Sequence, residues 1–273
     1  MFPAISLRAF VITCLIVFSL QRPAAAAAGA SWQKISAAGQ NTCGIKSDGS
    51  AWCWGQGFSG QLGNGTITKS QIVPAAVSDS NVSGKRWSEI SAGISYTCGV
   101  RDDGTAWCWG RRSEGQRGDG MRTETAATPV AVITKAVTGR KWLMISAASN
   151  TTCGLRDDAS IWCWGALTDS HEETVLSERP VMVAQRGWRS VQSGGGTICA
   201  TQKDGSAWCW GSAGFGSLGS GTDAATPDPQ IVVSTGVSGS AWIAVAPGGD
   251  ATCGIRDDGT AWCWGRRSEG QRG

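Results

Sequence analysis

The chain has 273 residues, with 24 Lys and Arg against 21 Asp and Glu. That length suits one large or two ordinary domains, and the near-balanced charge excludes the strong basic footprint of a nucleic-acid-binding protein. Its 39 glycines, 15 tryptophans and 11 cysteines depart from average composition, and the tryptophans and cysteines recur at fixed spacing, so the chain reads as one repeat array.

Residues 1–30 differ in kind from the rest. Arg8 precedes an apolar to weakly polar run from Ala9 to Leu20, followed by Gln21-Arg22-Pro23 and an alanine tract ending near Ala30. This is the layout of a secretory signal peptide, about residues 1–28, with cleavage options around Ala24 to Ala28. The alternative is a membrane anchor, but the run of 12 residues falls short of the roughly 20 that a spanning helix needs. Removing the segment takes Cys14, Arg8 and Arg22 with it, leaving an even 10 cysteines and a net charge of about +1. A secreted, oxidising destination makes such a regular cysteine set read as disulfides.

From residue 31 onward one unit recurs five times. Its first cysteines stand at 43, 98, 153, 199 and 253, in steps of 55, 55, 46 and 54 residues, and each is followed ten positions later by a second, at 53, 108, 163, 209 and 263. A tryptophan opens each unit: Trp32, Trp87, Trp142, Trp188 and Trp242. A short run follows, then the first cysteine, a turn signal, and Trp-Cys-Trp-Gly. The turn is Asp-Gly in four copies and Asp158-Ala159 in the third, so the cysteines flank a β-hairpin. A glycine-rich loop comes next, then a proline-containing apolar run at Ile72–Val77, Pro129–Ile133, Pro180–Val183 and Pro227–Val233. Proline suits an edge strand, because it has no donor for the ladder. Four short strands per unit, at this period and with no helical periodicity, predict the blades of an all-β propeller. The cysteine hairpin is expected to form the inner portion of each blade.

The pattern W-x-x-I-x-A-G, T-C-G, D-G-x-A-W-C-W-G, G-Q-L-G-N-G, P-x-x-V resembles the repeats of the RCC1 (regulator of chromosome condensation 1) superfamily. The closest match to its loop is Gly60-Gln61-Leu62-Gly63-Asn64-Gly65. The resemblance covers the chain after about Ser31 and implies an RCC1-like β-propeller, seven-bladed in the best-known members. The paired cysteines resemble the secreted, cysteine-paired branch (BLIP-II-like propellers) and crinkly-type receptor ectodomains more than the nuclear exchange factors. The departures from the pattern are specific. Repeat three has Gly165-Ala-Leu-Thr-Asp-Ser-His171-Glu172-Glu173 in place of the Gly-Gln-Leu-Gly loop, and residues 97–118 and 252–273 are identical except for Val100 against Ile255. That identity marks a duplication or an assembly artefact. The fifth copy stops at Gly273 before any proline run, so the expected structure is an open five-blade arc, 31–273, from a larger ring, with two sheet faces uncovered.

A three-residue loop such as Asp102-Asp103-Gly104 places Cys98 directly opposite Cys108, at a site where cross-strand side chains approach closely. Five intra-hairpin bonds follow: Cys43 with Cys53, Cys98 with Cys108, Cys153 with Cys163, Cys199 with Cys209, Cys253 with Cys263. A two-residue turn slips the register and sets Cys98 against Trp109. Reduced buried thiols and a zinc site are the competing readings; zinc lacks the C-x-x-C spacing and has only one histidine to draw on. In Trp107-Cys108-Trp109 the strand period places both indoles on one face, expected to pack on the next blade. Ultraviolet-sensing members carry Gly-Trp-Arg-His-Thr at the segment that here reads Ala92–Thr97. Gly187-Trp188-Arg189-Ser190 lies in a different strand, which rejects photoreception.

Catalytic motifs reduce to turns. Gly55–Gly60 and Gly214–Gly219 fit G-x-G-x-x-G but open no helix. His171 sits in a polar loop beside Glu172 and Glu173, and the Asp-Asp pairs at 102–103, 157–158 and 257–258 suit hairpin turns. Asn64, Asn81 and Asn150 head glycosylation sequons. No catalytic residue, cofactor or metal is expected. The reading is a secreted, non-catalytic scaffold that binds a protein or glycan partner through the variable loops 111–127, 165–178 and 212–226, with no nucleic acid and no membrane span in the mature segment. The alternatives are the ectodomain of a crinkly-type receptor kinase, with less support a guanine-nucleotide exchange factor, and least of all a glycan lyase or hydrolase.

Overall fold

The computed structural model describes residues 30–168, 173–185, 187–268 and 270; residues 1–28, read from the sequence as a signal peptide, and His171 with Glu172, lie outside them. Among the described residues the chain forms five antiparallel sheets, each a meander in chain order. Blade 1 holds β1 (Trp32–Ala38), β2 (Asn41–Lys46), β3 (Ala51–Gly57) and β4 (Thr68–Ala76). Blade 2 holds β5 (Trp87–Ala92), β6 (Tyr96–Arg101), β7 (Ala106–Gly110) and β8 (Ala126–Ala131). Blade 3 holds β9 (Trp142–Ala148), β10 (Thr151–Arg156), β11 (Ile161–Thr168) and β12 (Thr174–Ala184). Blade 4 holds β13 (Trp188–Gly194), β14 (Thr197–Gln202), β15 (Ala207–Gly211) and β16 (Thr226–Ile231). Blade 5 has three strands, β17 (Trp242–Pro247), β18 (Ala251–Arg256) and β19 (Ala261–Gly265).

The tryptophan-opened strand is the innermost of each blade, and β1, β5, β9, β13 and β17 lie side by side along the arc. Serines stitch them together. Ala92 N–H donates to Ser36 Oγ at 2.9 Å, Ala147 N–H to Ser91 Oγ at 2.8 Å, and Ser193 N–H to Ser146 Oγ at 2.9 Å. The series stops at Pro247, which has no N–H to give. The cysteine hairpin therefore forms the middle two strands of a blade rather than its inner portion, and the proline-containing strand takes the outer edge.

The hairpin turn closes as its residues dictate. Arg101 N–H donates to Thr105 O at 2.9 Å and Gly104 N–H to Arg101 O at 2.8 Å, with Gly104 at φ +84°. That register sets Cys98 against Cys108, and the same pairing holds in all five hairpins. The facing sulfurs are joined in every one: Cys43–Cys53, Cys98–Cys108, Cys153–Cys163, Cys199–Cys209 and Cys253–Cys263. A short relay braces each turn. Trp107 Nε1 donates to Thr105 Oγ1 at 2.8 Å, and that hydroxyl donates to Asp103 Oδ1 at 2.6 Å. The same chain runs from Trp52 through Ser50 to Asp48, and from Trp162, Trp208 and Trp262 in their blades. Hydrogen bonds from Ser50 and Ser206 hold the carboxyls of Asp48 and Asp204 below the usual range.

Alternation along the strands gives each blade two unlike faces. The cysteine face of blade 1, with Ile45 and Ala51, meets Trp87, Ile90 and Trp109 of blade 2. Cys98 and Cys108 meet Trp142, Trp162 and Trp164; Cys153 and Cys163 meet Trp188 and Trp210; Cys199 and Cys209 meet Trp242 and Trp264. The indole face thus looks back on the preceding blade, opposite to the direction the strand pattern suggested. At three of the four interfaces the loop after Trp-Cys-Trp-Gly crosses forward and holds the next blade's indole N–H. At the two ends no described residues cover the faces as a further blade would: Trp32 is 45% exposed where Trp87 is 3%, and Cys253 and Cys263 are half-buried where the other eight paired cysteines are fully buried. The arc is open.

One turn carries a strain the others avoid. Gly49, Gly104, Gly205 and Gly259 take φ between +81° and +84°, and Ala159 holds the same position at φ +62°. A Cβ in the left-handed region costs about 1–2 kcal/mol, partly offset by the lower chain entropy of alanine in the unfolded state. Ala159→Gly is therefore expected to stabilise the protein by about 0.5–1 kcal/mol; thermal unfolding that leaves its midpoint unchanged or lowered contradicts this.

Candidate functional site

Consecutive blades are roofed at one end by the Gly-Gln-Leu-Gly loop. In blade 1 this loop places the Gln61 carbonyl where Trp109 Nε1 and Thr97 Oγ1 of blade 2 both donate to it at 2.9 Å. Leu62 beside it is fully buried. Gly63 lies so close over the indole that a Cβ would stand 2.6 Å from Trp109 Nε1. The arrangement repeats where the Gln116 carbonyl accepts from Thr152 and Trp164 at 2.7 and 2.9 Å, and where the Ser217 carbonyl accepts from Thr252 and Trp264 at 2.8 and 2.9 Å.

Between blades 3 and 4 the described residues form no such roof. The rebuilt segment after Trp164 continues β11 to Thr168 and returns as β12 from Thr174, an extended hairpin in place of a forward-crossing loop. Trp210 Nε1 is buried with no acceptor, and Thr197 Oγ1 turns to Ser212 O within its own blade at 2.8 Å. A cleft of about 590 Å³ opens there. Blade 3 lines it with Ser149, Asn150, Thr151, Leu167, Thr168 and Thr174, and blade 4 with Gly195, Gly196, Ser212, Ala213 and Gly214, together with Asp223 and Ala225. Among the described residues the walls are hydroxyls, amides and backbone with Leu167 and three alanines, and Asp223 is the one carboxylate.

Two of the three variable loops, 165–178 and 212–226, converge on this cleft. The third, 111–127, does not line it and folds instead over the blade 2–3 interface. There Arg117 occupies the position of Leu62 and Leu218, fully buried, and donates through Nη1 to Gly110 O at 3.3 Å and through Nη2 to Asp119. Arg112 Nη1 meets the same Asp119 oxygen at 3.1 Å. One buried carboxylate thus serves two buried guanidiniums, and burial pulls the Arg117 pKa down while Asp119 opposes the shift. No sequence motif marks this cluster; the signal was the single replacement of leucine by arginine in Gly115-Gln116-Arg117-Gly118.

The remaining sequence candidates take structural places. Asn150 lines the cleft, Asn81 is exposed, and Asn64 caps its own loop by accepting from Thr66 N at 3.1 Å. Trp188 is buried in the innermost strand of blade 4. Gly214–Gly216 form a short 3-10 turn at the cleft edge. The second aspartates of the Asp-Asp pairs, Asp103, Asp158 and Asp258, brace hairpin turns. Among the described residues no cluster of three or more His, Cys, Asp or Glu side chains could hold a metal ion, and no helix is long and apolar enough to cross a membrane.

An arc of meander blades, each pinned by a cross-strand disulfide and packed face to face on the next, is a β-propeller. Models of the regulator of chromosome condensation (RCC1) repeat match residues 48–100 and, in a second form, 32–61, 87–116 and 242–271, and the chain has an RCC1-like β-propeller fold. It is similar to the E3 ubiquitin-protein ligase HERC2 of Homo sapiens, 25% identical over 250 residues, which cover 88% of this chain and 5% of that protein. Human WBSCR16 superposes with a TM-score of 0.74 at 15% identity, covering 88% of this chain and 63% of that one. The ectodomain of the Physcomitrella patens receptor kinase CR4 superposes with a TM-score of 0.51 at 19% identity, covering 88% and 52%. The chain spans only part of each, and at these identities the structural likeness is one of fold.

The arginine cluster makes a direct prediction. Asp119→Ala leaves the buried Arg117 without a carboxylate and Arg112 with only the exposed Glu124, at 3.6 Å, and is expected to cost about 3–5 kcal/mol, whereas Arg117→Leu restores the residue of the other roofs and is expected to cost less than about 1.5 kcal/mol. Equal losses in urea unfolding of the two variants contradict the assignment.

Proposed function

We propose that the chain is a secreted or surface-exposed, non-catalytic scaffold that binds a protein or glycan partner in the cleft between blades 3 and 4. The observation that carries this is the absence of a roof among the described residues: a loop seals the other three blade interfaces at this end, and here the described parts of two variable loops frame a cleft of about 590 Å³. Its hydroxyl- and amide-rich walls offer hydrogen bonds rather than an apolar slot, which matches sugar hydroxyls or an extended peptide backbone. Five hairpin disulfides support an oxidising compartment, as does the signal-like segment 1–28. An exchange-factor role in the nucleus fits these bonds poorly. The ectodomain of a membrane receptor is the second reading, and the disulfides support it equally.

The test is binding of the oxidised full chain to a glycan array and to secreted-protein fractions, repeated with Ser149→Trp and Ala225→Trp, which fill the cleft from its two sides. Binding weakened at least about tenfold with an unchanged thermal midpoint is the expected result. A ligand whose affinity ignores both substitutions overturns the assignment of the cleft. Release of the chain into the medium, against retention in the membrane fraction, separates the secreted scaffold from the receptor.

A further inference from the structure

The opposite end of the blades holds a second site of a different chemistry. Strands alternate in direction, so the turn between β9 and β10 lies at the cleft end, and the turn between β10 and β11, with the linkers that enter each blade, lies at the other end. Three of these linkers share one shape: Val82 N–H donates to Asp79 O, Val137 N–H to Thr134 O, and Val237 N–H to Ser234 O, at 3.3, 3.1 and 3.1 Å. In each, an arginine stacks on the opening tryptophan, Arg101 on Trp87, Arg156 on Trp142 and Arg256 on Trp242, at 4.7, 4.5 and 4.7 Å. Each arginine also donates through Nε and Nη2 to two linker carbonyls, as Arg156 does to Thr138 O and Gly139 O at 3.0 and 2.7 Å.

The three differ in what receives the remaining donors. In blade 2, Asp79 Oδ1 accepts from Trp87 Nε1 at 3.1 Å and from Arg101 Nη1 at 2.9 Å. In blade 5, Ser234 Oγ accepts from Trp242 Nε1 at 3.2 Å. In blade 3 the corresponding residue is Thr134, exposed, and neither Trp142 Nε1 nor Arg156 Nη1 has an acceptor. Both side chains are 2% exposed, and both line a cavity of about 290 Å³ with Thr134, Val137 and Arg140. Among the described residues no carboxylate lines it, while Asp157 and Asp158 act on Arg156 through space. Two buried donors, one cationic, thus face a cavity where the neighbouring blade supplies a carboxylate from its own chain. Leaving such donors unpaired is costly, and a charge-assisted pair is the strong way to satisfy them.

We propose that this cavity binds a carboxylate group presented by a ligand, one oxygen accepting from Trp142 Nε1 and Arg156 Nη1 as Asp79 does from Trp87 and Arg101. The group can come from a free small carboxylic acid or from an acidic side chain of a peptide. Its size suits either, being smaller than a pocket for a drug-sized ligand.

The experiment follows the indole N–H signals of the oxidised full chain carrying 15N-tryptophan, with the Trp142 signal assigned through Trp142→Phe. The probes are sodium acetate, an N-acetylated and C-amidated tetrapeptide whose one internal glutamate is its sole carboxylate, and its glutamine counterpart, blocked in the same way and carrying no carboxylate, at constant ionic strength in sodium chloride. A saturable shift of the Trp142 signal with acetate or the glutamate peptide, and none with the glutamine peptide, is expected. Peptide binding at least about tenfold tighter than acetate assigns the group to a peptide, and equal binding assigns it to a small acid. Thr134→Asp supplies the carboxylate internally and is expected to move the Trp142 signal without any probe and to weaken probe binding about tenfold or more. Asp79→Thr is expected to make the Trp87 signal respond as well. A Trp142 signal that neither acid moves, that chloride moves as much, or that responds unchanged in Thr134→Asp overturns the proposal. The Thr134→Asp arm decides alone if Asp79→Thr fails to fold.

Discussion

Each blade of this protein is sided, and the whole arc depends on how those sides meet. Alternation along β2 and β3, and along the strands that repeat them, puts two bonded cysteines and their small neighbours on one surface and the indoles on the other. The smooth, fully buried disulfide surface receives the next blade's tryptophans, each able to bury roughly 150–250 Å². The polar ends of those rings favour one direction. Trp109 Nε1 reaches back to the Gln61 carbonyl and so favours seating with the indoles toward the preceding loop, while blade 4 seats the same way without that bond. Because donor and acceptor surfaces differ, the contact is heterologous and propagates along the chain; it leaves one indole face at Trp32 and one disulfide face at Cys253 and Cys263 uncovered.

In a structure this repetitive, function is sought where the repeat breaks. Substituting one loop in blade 3 removes a carbonyl from above Trp210 and opens the polar cleft. Substituting one residue in a linker, Thr134 for the aspartate of blade 2, leaves Trp142 and Arg156 facing a cavity with donors unmet. Substituting Arg117 for leucine fills its roof with a charge cluster and opens nothing large. The first two departures lie at opposite ends of the blades, so a ligand at one leaves the other free.

Much of this was legible from residue order. The Asp-Gly turn and ten-residue cysteine spacing specify the hairpin register, because only the three-residue loop sets Cys98 opposite Cys108. Proline in β4, β8, β12 and β16 marks the outer edge for want of an N–H. The absent Gly-Gln-Leu-Gly in repeat three announced an altered loop. The hairpin's place in the blade and the direction of the indole face were not legible. Strand alternation says that Trp107 and Trp109 share a face but not which neighbour they meet, and the Trp109 indole N–H meets a carbonyl 48 residues away in sequence. The orphaned donors were hidden for a related reason: Thr134 is unremarkable until Asp79 is seen to serve two partners in the equivalent linker.

Disulfide mapping by mass spectrometry during graded reduction of the native chain, with free thiols alkylated as they appear, tests the sided packing most directly. If the disulfide faces are sealed by the next blade's indoles, Cys253–Cys263, only half-buried, opens first, and the other four pairs stay closed until the tryptophan packing melts, as read by near-ultraviolet circular dichroism. Simultaneous opening of all five pairs while that tryptophan signal persists would contradict the account.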